Sequence, residues 1–294
     1  MHVDELDIDG DLVRRLMMAQ FPRWAKLTLT PVVSAGTVNA LYRLGDDMVV
    51  RLPRVERAKG GVEHEHEWIP RLSPLLPVAI PSLLGQGTPG EGYPLPWSVF
   101  GWIEGDNPTP EDLVAPELLA TDVAGFIAAL RQIDTIGAPP AYRGGSLITR
   151  DGEVRTWIRN LQGAVDTDAV MDVWEKSLQA PAWRRPPVWV HSDLLPGNLL
   201  LSKGRLIGVI DFAASGVGDP ACDLIVAWNL LPPSARSAFR AALGADDATW
   251  ARGRGWALSM GLGALSYYRE TNAVMATNGL HVIQEVLADH QRNG

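Results

Sequence analysis

A chain of 294 residues with 46% hydrophobic and 20% charged residues is made up like a globular protein that buries one large core or two medium ones. Its formal net charge of −8 argues against general nucleic-acid binding, which needs a basic face. The single cysteine, Cys222, excludes an intrachain disulfide, and no run approaches the ~18 apolar residues needed to span a bilayer.

Residues 1–16, MHVDELDIDGDLVRRL, are acidic where a secretion signal is basic and then apolar, so a soluble, cytoplasmic chain is expected. Leu12–Gln20 has helical spacing, with Leu12, Val13, Leu16 and Met17 on one face. Three short strands are predicted at 27–33, 40–44 and 48–52, with Gly45-Asp46-Asp47 turning between the last two. A helix over 62–75 and strands at 82–87 and 97–103 follow. After Glu104-Gly105-Asp106-Asn107-Pro108 the pattern becomes mainly helical: 116–133, 167–178, 220–230, 235–243, 248–270 and 280–289, interrupted by short apolar pieces at 188–190, 199–201 and 206–210. The expected organisation is a small β-rich N-terminal part, residues 1–103, and a larger, mostly helical part, residues 104–294.

The most informative stretch is VWVHSDLLPGNLLLSKGRLIGVIDFAASGVGDPACDL, which begins at Val188. It contains His191-x-Asp193-x-x-x-x-Asn198, followed by Ile210-Asp211-Phe212. This is the pattern of a kinase catalytic loop and its metal-binding aspartate. Phosphoryl transfer needs an oriented hydroxyl and neutralised phosphate charge. Asp193 supplies a carboxylate to accept the hydroxyl proton. Asn198 and Asp211 supply hard oxygens suited to Mg²⁺. His191 reads as a brace for the loop, Asp219 as a cap for the helix after it, Asp223 as the partner of a basic residue, and Cys222 as a buried core residue.

On these residues, together with the trailing GDPACDL, the chain resembles the aminoglycoside phosphotransferase family of kinase-like small-molecule phosphotransferases. The resemblance covers nearly the whole chain. It implies an α+β, bilobal protein-kinase-like fold, ATP or GTP as phosphate donor with Mg²⁺, and a small-molecule hydroxyl as acceptor, with an aminoglycoside or other antibiotic among the acceptors it suggests. It also implies a nucleotide-positioning turn at Ser34, Gly36, Thr37 and Asn39, and a hinge at Phe100, Gly101 and Trp102. Arg51 stands where such kinases carry a phosphate-binding lysine; of Glu63, Glu65 and Glu67, Glu65 is its expected helix partner because it shares a stripe with Val62, Trp68, Ile69 and Leu72, with Glu63 in reserve. His64 and His66 read as solvated. Trp228, Asn229, Trp256, Tyr267, Tyr268 and Glu270 are candidate acceptor walls. A housekeeping metabolite kinase fits the same residues. A nucleotide-binding pseudokinase regulator is the alternative of another class, favoured by Arg51 alone. Neither the choice of ATP or GTP nor the oligomeric state has a signature in the sequence.

Overall fold

The computed structural model describes residues 5–33 and 38–293. The chain divides into two compact units, one running to Gly105 and including Gly208–Ala213, the other formed by Asp106–Ile207 and the chain from Ala214 onward. The segment 208–213, expected with the helical part, therefore belongs to the first unit.

The first unit opens with helix α1 (Gly10–Gln20), whose N-cap Asp9 accepts from the Leu12 amide at 2.7 Å. Next come β1 (Leu29–Pro31), β2 (Asn39–Leu44), β3 (Met48–Pro53), helix α2 (Lys59–Leu72), β4 (Leu83–Gly87) and β5 (Trp97–Gly101). The strands form one antiparallel sheet in the order β1-β2-β3-β5-β4. Strict alternation along β2 and β3 sends Ala40, Tyr42, Leu44, Met48, Val50 and Leu52 to one face. There they meet Leu12, Val13, Leu16 and Met17 of α1, with Trp97 and Val99, in a single apolar cluster. The opposite face carries Arg51 with Asn39, Leu41, Arg43 and Val49.

The second unit contains α3 (Pro116–Arg131), α4 (Asp151–Asn160), α5 (Thr167–Gln179), β6 (Val188–Val190), β7 (Leu199–Ser202), β8 (Arg205–Val209), β9 (Gly216–Gly218), α6 (Val226–Asn229), α7 (Pro233–Ala242), α8 (Asp247–Tyr268) and α9 (Ala273–Asn293). The chain passes into the first unit near the end of β8, at Gly208, and returns at Ala214. β7 and β8 form a hairpin ribbon, and β6 pairs with β9. β9 and α4 have no counterpart in the sequence reading. β9 lies in a Gly-rich stretch that resembles a turn, and α4 buries only Val154 and Ile158, too few for a visible stripe. The expected helix over 220–230 is a 3-10 segment, Pro220–Ile225, followed by the single turn of α6.

Candidate active site

In the first unit, β3 presents Arg51 on the face away from the apolar cluster, and α2 covers that face with its buried stripe of Val62, Glu65, Trp68, Ile69 and Leu72. Arg51 Nη1 donates to both carboxylate oxygens of Glu65 at 2.7 Å, and Nη2 donates to Asp211 Oδ1 at 2.7 Å. Asn39 lies on the neighbouring strand. With its amide oxygen turned toward the guanidinium, it accepts from Nη2 at 2.9 Å and Nε at 3.1 Å. Every nitrogen of the guanidinium is thus engaged. Glu65 also accepts from the Phe212 amide at 3.0 Å, so one buried carboxylate ties β3 and α2 to the Asp211 segment. Burial tends to lower the Arg51 pKa, but the Asp211 and Glu65 carboxylates outweigh it and hold Arg51 above its ordinary value. Burial raises Glu65 above the usual carboxylate range, with Arg51 opposing.

Two features let α2 come close. Gly61 faces Ala213, and a side-chain carbon at position 61 would sit 2.9 Å from the Ala213 methyl. The segment is also held by a hydrogen bond from the Val209 amide to the Ala79 carbonyl at 2.9 Å. Asp211 adopts φ 64°, a left-handed conformation costly for a residue with a side chain, which signals that its direction is imposed by its surroundings.

The other first-unit expectations fare differently. Ser34, Gly36 and Thr37 lie outside the described residues. Phe100 is buried, and the amides of Gly101 and Trp102 donate to Ser82 and Asp47 carbonyls at 2.9 and 2.7 Å. Those two amides are therefore occupied within the sheet region, unlike free hinge donors. Gly101 has its own reason for being glycine, since a Cβ there would lie 2.3 Å from Ser82 Oγ. His66 is not solvated as expected: Nε2 is 2.8 Å from the buried Ser98 hydroxyl on β5, and partial burial lowers its pKa.

In the second unit, β6 leads into the loop His191-Ser192-Asp193. Ser192 has φ 66°, again left-handed without glycine. The loop is fixed by Asp223, a fully buried carboxylate that accepts from the backbone amides of His191 at 3.0 Å and Ser192 at 2.7 Å. The hydrogen bonds of Asp223 thus go to backbone, and the basic residue expected beside it is Arg131, which acts on it through charge. Burial raises the Asp223 pKa, while the two amides and the Arg131 charge pull it down. The His191 side chain is buried, and its Nδ1 accepts from the Asp193 amide at 3.3 Å, as fits a brace. Asp219 caps the 3-10 segment through the Ala221 amide and pairs with Arg252 at 2.6 Å.

The Asp193 carboxylate is bracketed. Arg143 Nη1 donates to Oδ1 at 2.8 Å and to the Ser192 carbonyl at 3.1 Å. Asn198 Nδ2 donates to Oδ2 at 3.2 Å and to the Asp193 carbonyl at 2.8 Å. Because the amide nitrogen of Asn198 is held by Asp193, its oxygen is the end left for a cation. Asn107 Nδ2 clasps the same turn, donating to the Gly197 and Leu199 carbonyls at 3.0 and 2.8 Å. Neither Arg143 nor Asn107 carried a signal in the sequence. Of the candidate acceptor walls, Trp228 and Trp256 are buried core residues, and Asn229 holds the Leu194 carbonyl at 2.9 Å. Tyr267 is exposed, with its ring against Tyr268. Cys222 is buried, and burial lifts its thiol pKa well above the ordinary value.

Comparison with known proteins fits this fold. The fold resembles that of the GDP complex of wild-type aminoglycoside 2'-phosphotransferase-IIIa, with a TM-score of 0.75, 18% identity, and coverage of 96% of this chain and all of the other. It also resembles macrolide 2'-phosphotransferase from Brachybacterium faecium, with a TM-score of 0.61, 20% identity, and coverage of 94% and 98%. In sequence, an aminoglycoside 3'-phosphotransferase of Escherichia coli is 37% identical over 59 residues, which is 20% of this chain and 22% of that protein. The uncharacterized protein YcbJ of Bacillus subtilis (strain 168) is 26% identical over 164 residues, 51% of this chain and 47% of its own length. The chain therefore spans less than half the length of these curated relatives. Over residues 30–256 it matches the profile of one family. With an α+β fold and a kinase-type loop on braced supports, the chain belongs to the phosphotransferase enzyme family.

Proposed function

We propose that the protein transfers the γ-phosphoryl group of ATP or GTP to a hydroxyl of a small molecule, with aminoglycosides and macrolides as the first acceptors to test because relatives in fold and sequence bear those names. The observation that carries the reading is the bracketed Asp193, a partly exposed carboxylate on a loop whose backbone is fixed by a buried Asp223. Asp193 orients the acceptor hydroxyl and receives its proton as the bond to phosphorus forms.

The donor set fits a hard cation. Asp211 is a carboxylate with 36% of its side chain exposed, and Asn198 offers an amide oxygen while its nitrogen is held by Asp193. Each residue, within its own unit, would offer Mg²⁺ one hard oxygen, and the ion, when bound, would supply charge neutralisation to the phosphates. Arg51 fixes the direction of Asp211 and, through Glu65, ties it to α2. Since its nitrogens are all engaged, we assign it the work of a strut, and contact with phosphate requires it to yield one bond. Asn39 completes that strut. For the hinge, we assign the base contact to backbone beyond the occupied Gly101 and Trp102 amides, with Phe100 holding the strand in its core. No described helix is long and apolar enough to cross a membrane, and the need for a nucleotide donor favours a cytoplasmic location.

The test is consumption of ATP and GTP by the purified chain, with and without Mg²⁺, against a panel of aminoglycosides, macrolides, nucleosides and amino alcohols. Acceptor-stimulated turnover that disappears in Asp193→Asn, with nucleotide binding retained, is the expected result. Nucleotide binding without any acceptor-dependent turnover favours the pseudokinase, and absence of nucleotide binding overturns the reading.

A further inference from the structure

The side chain opposite Asp193 has more to offer than a brace. Arg143 spends one nitrogen, Nη1, on Asp193 Oδ1 and the Ser192 carbonyl. Its Nε and Nη2 donate to nothing among the described residues, and the side chain is 26% exposed. Nε and Nη2 form the side-on edge of the guanidinium, whose two parallel N–H bonds match a carboxylate or phosphate. The exposed Tyr142 ring lies 5.0 Å below the guanidinium carbon and limits its swing. The chain just past Arg143, at Gly144–Ile148, walls a cavity of about 240 Å³. The charged side chains lining it are Arg185, Arg252 and Asp219, and the last two are paired with each other at 2.6 Å. Among the described residues, no unpaired carboxylate lines it for a polyamine.

We propose that Arg143 determines acceptor specificity, its Nε/Nη2 edge receiving an oxyanion, either carboxylate or phosphate, on the molecule whose hydroxyl Asp193 orients. This rests on the phosphotransferase reading and narrows it: the preferred acceptor is an anionic hydroxy compound, and a polycation is disfavoured beside the fixed guanidinium. The residue also positions Asp193, but that role by itself sets no preference for acceptor charge.

The experiment uses the full chain loaded with Mg²⁺ and ADP, and calorimetric titration with four small polyols: glycerol, glycerate, glycerol 3-phosphate and 3-aminopropane-1,2-diol. The expected order is an anionic diol bound about tenfold tighter than glycerol, with the amino diol weakest. Glycerate ahead of glycerol 3-phosphate names a carboxylate acceptor, and the reverse names a phosphate; either supports the proposal. Arg143→Gln should abolish the preference and leave ADP affinity unchanged, and Arg143→Lys should keep part of it. The proposal is overturned if the amino diol binds as tightly as the anions, if neither anion binds, if Arg143→Gln leaves the order intact, or if that variant weakens ADP instead. Failure of the wild-type chain to bind ADP with Mg²⁺ is a different result, and it removes the phosphotransferase reading itself.

Discussion

Replacing Asp223 separates geometry from stability. The carboxylate holds two backbone amides, those of His191 and Ser192, and is fully buried. Asp223→Ala leaves both amides without a partner, at about 1–3 kcal/mol each. Part of that is offset because the ionised carboxylate no longer has to be buried. A net loss of about 2–4 kcal/mol, or roughly 10 °C in Tm, is expected for a unit of this size. Asp223→Asn behaves differently. Its oxygen still serves one amide, while its NH2 faces the other. The cost of one orphaned amide, about 1–3 kcal/mol, is opposed by relief of charge burial of the same order. Tm should therefore stay near wild type. Turnover should fall about a hundredfold, because the left-handed Ser192 relaxes and Asp193 moves by a fraction of an ångström to an ångström. The pH dependence follows the same logic. Asp223 is raised in the folded state, so its contribution to stability is greatest below the ordinary carboxylate range and declines as pH rises through its raised pKa. The Asn variant should lack that decline. Melting curves across pH, paired with turnover, test both parts. Full turnover in Asp223→Asn refutes the anchoring role, and an Asn variant as unstable as the Ala variant refutes the balance between burial and hydrogen bonding.

Glu65→Ala leaves Arg51 Nη1 and the Phe212 amide without their carboxylate while Asp211 still pairs with the guanidinium, and should cost about 1–3 kcal/mol for each lost partner by urea unfolding, with nucleotide affinity falling in parallel. Gly61→Val should cost about 1–3 kcal/mol by crowding Ala213, and Ala213→Gly in the same chain should restore most of it; absence of rescue contradicts the close approach. Arg51→Lys keeps a charge for Glu65 and Asp211 but cannot also fork onto Asn39, so nucleotide affinity measured by calorimetry should stay within about tenfold of wild type. Arg51→Met should lose both stability and nucleotide binding.

Asp193, Asn198 and Asp211 could be picked out as candidates because they are concentrated in one stretch with fixed spacing. Arg51 and Glu65 were legible for another reason: strand alternation and a helical stripe each point a residue inward, and the two faces met at 2.7 Å. Periodicity says nothing about side chains that reach across a fold to backbone. Asp223 meets amides 31 and 32 positions away, Arg143 meets Asp193 50 positions away, and Asn107 meets Gly197 90 positions away, all from loops or irregular turns. The same limit hid β9, which pairs through glycines that admit close backbone, and it misread His66, whose partner Ser98 is on a strand distant in sequence. The tryptophans taken for pocket walls were core for the ordinary reason that Trp228 and Trp256 bury large apolar rings.

The central claim is that phosphorus moves from a nucleotide to a hydroxyl oriented by Asp193. The most direct measurement is mass spectrometry of the acceptor after incubation with γ-¹⁸O-labelled ATP and Mg²⁺, run beside Asp193→Asn. The account predicts one labelled phosphoryl group on a hydroxyl oxygen of the acceptor, formed by the wild-type chain and nearly absent with the variant. Equal product from Asp193→Asn, or label released only as inorganic phosphate with every acceptor unmodified, contradicts it.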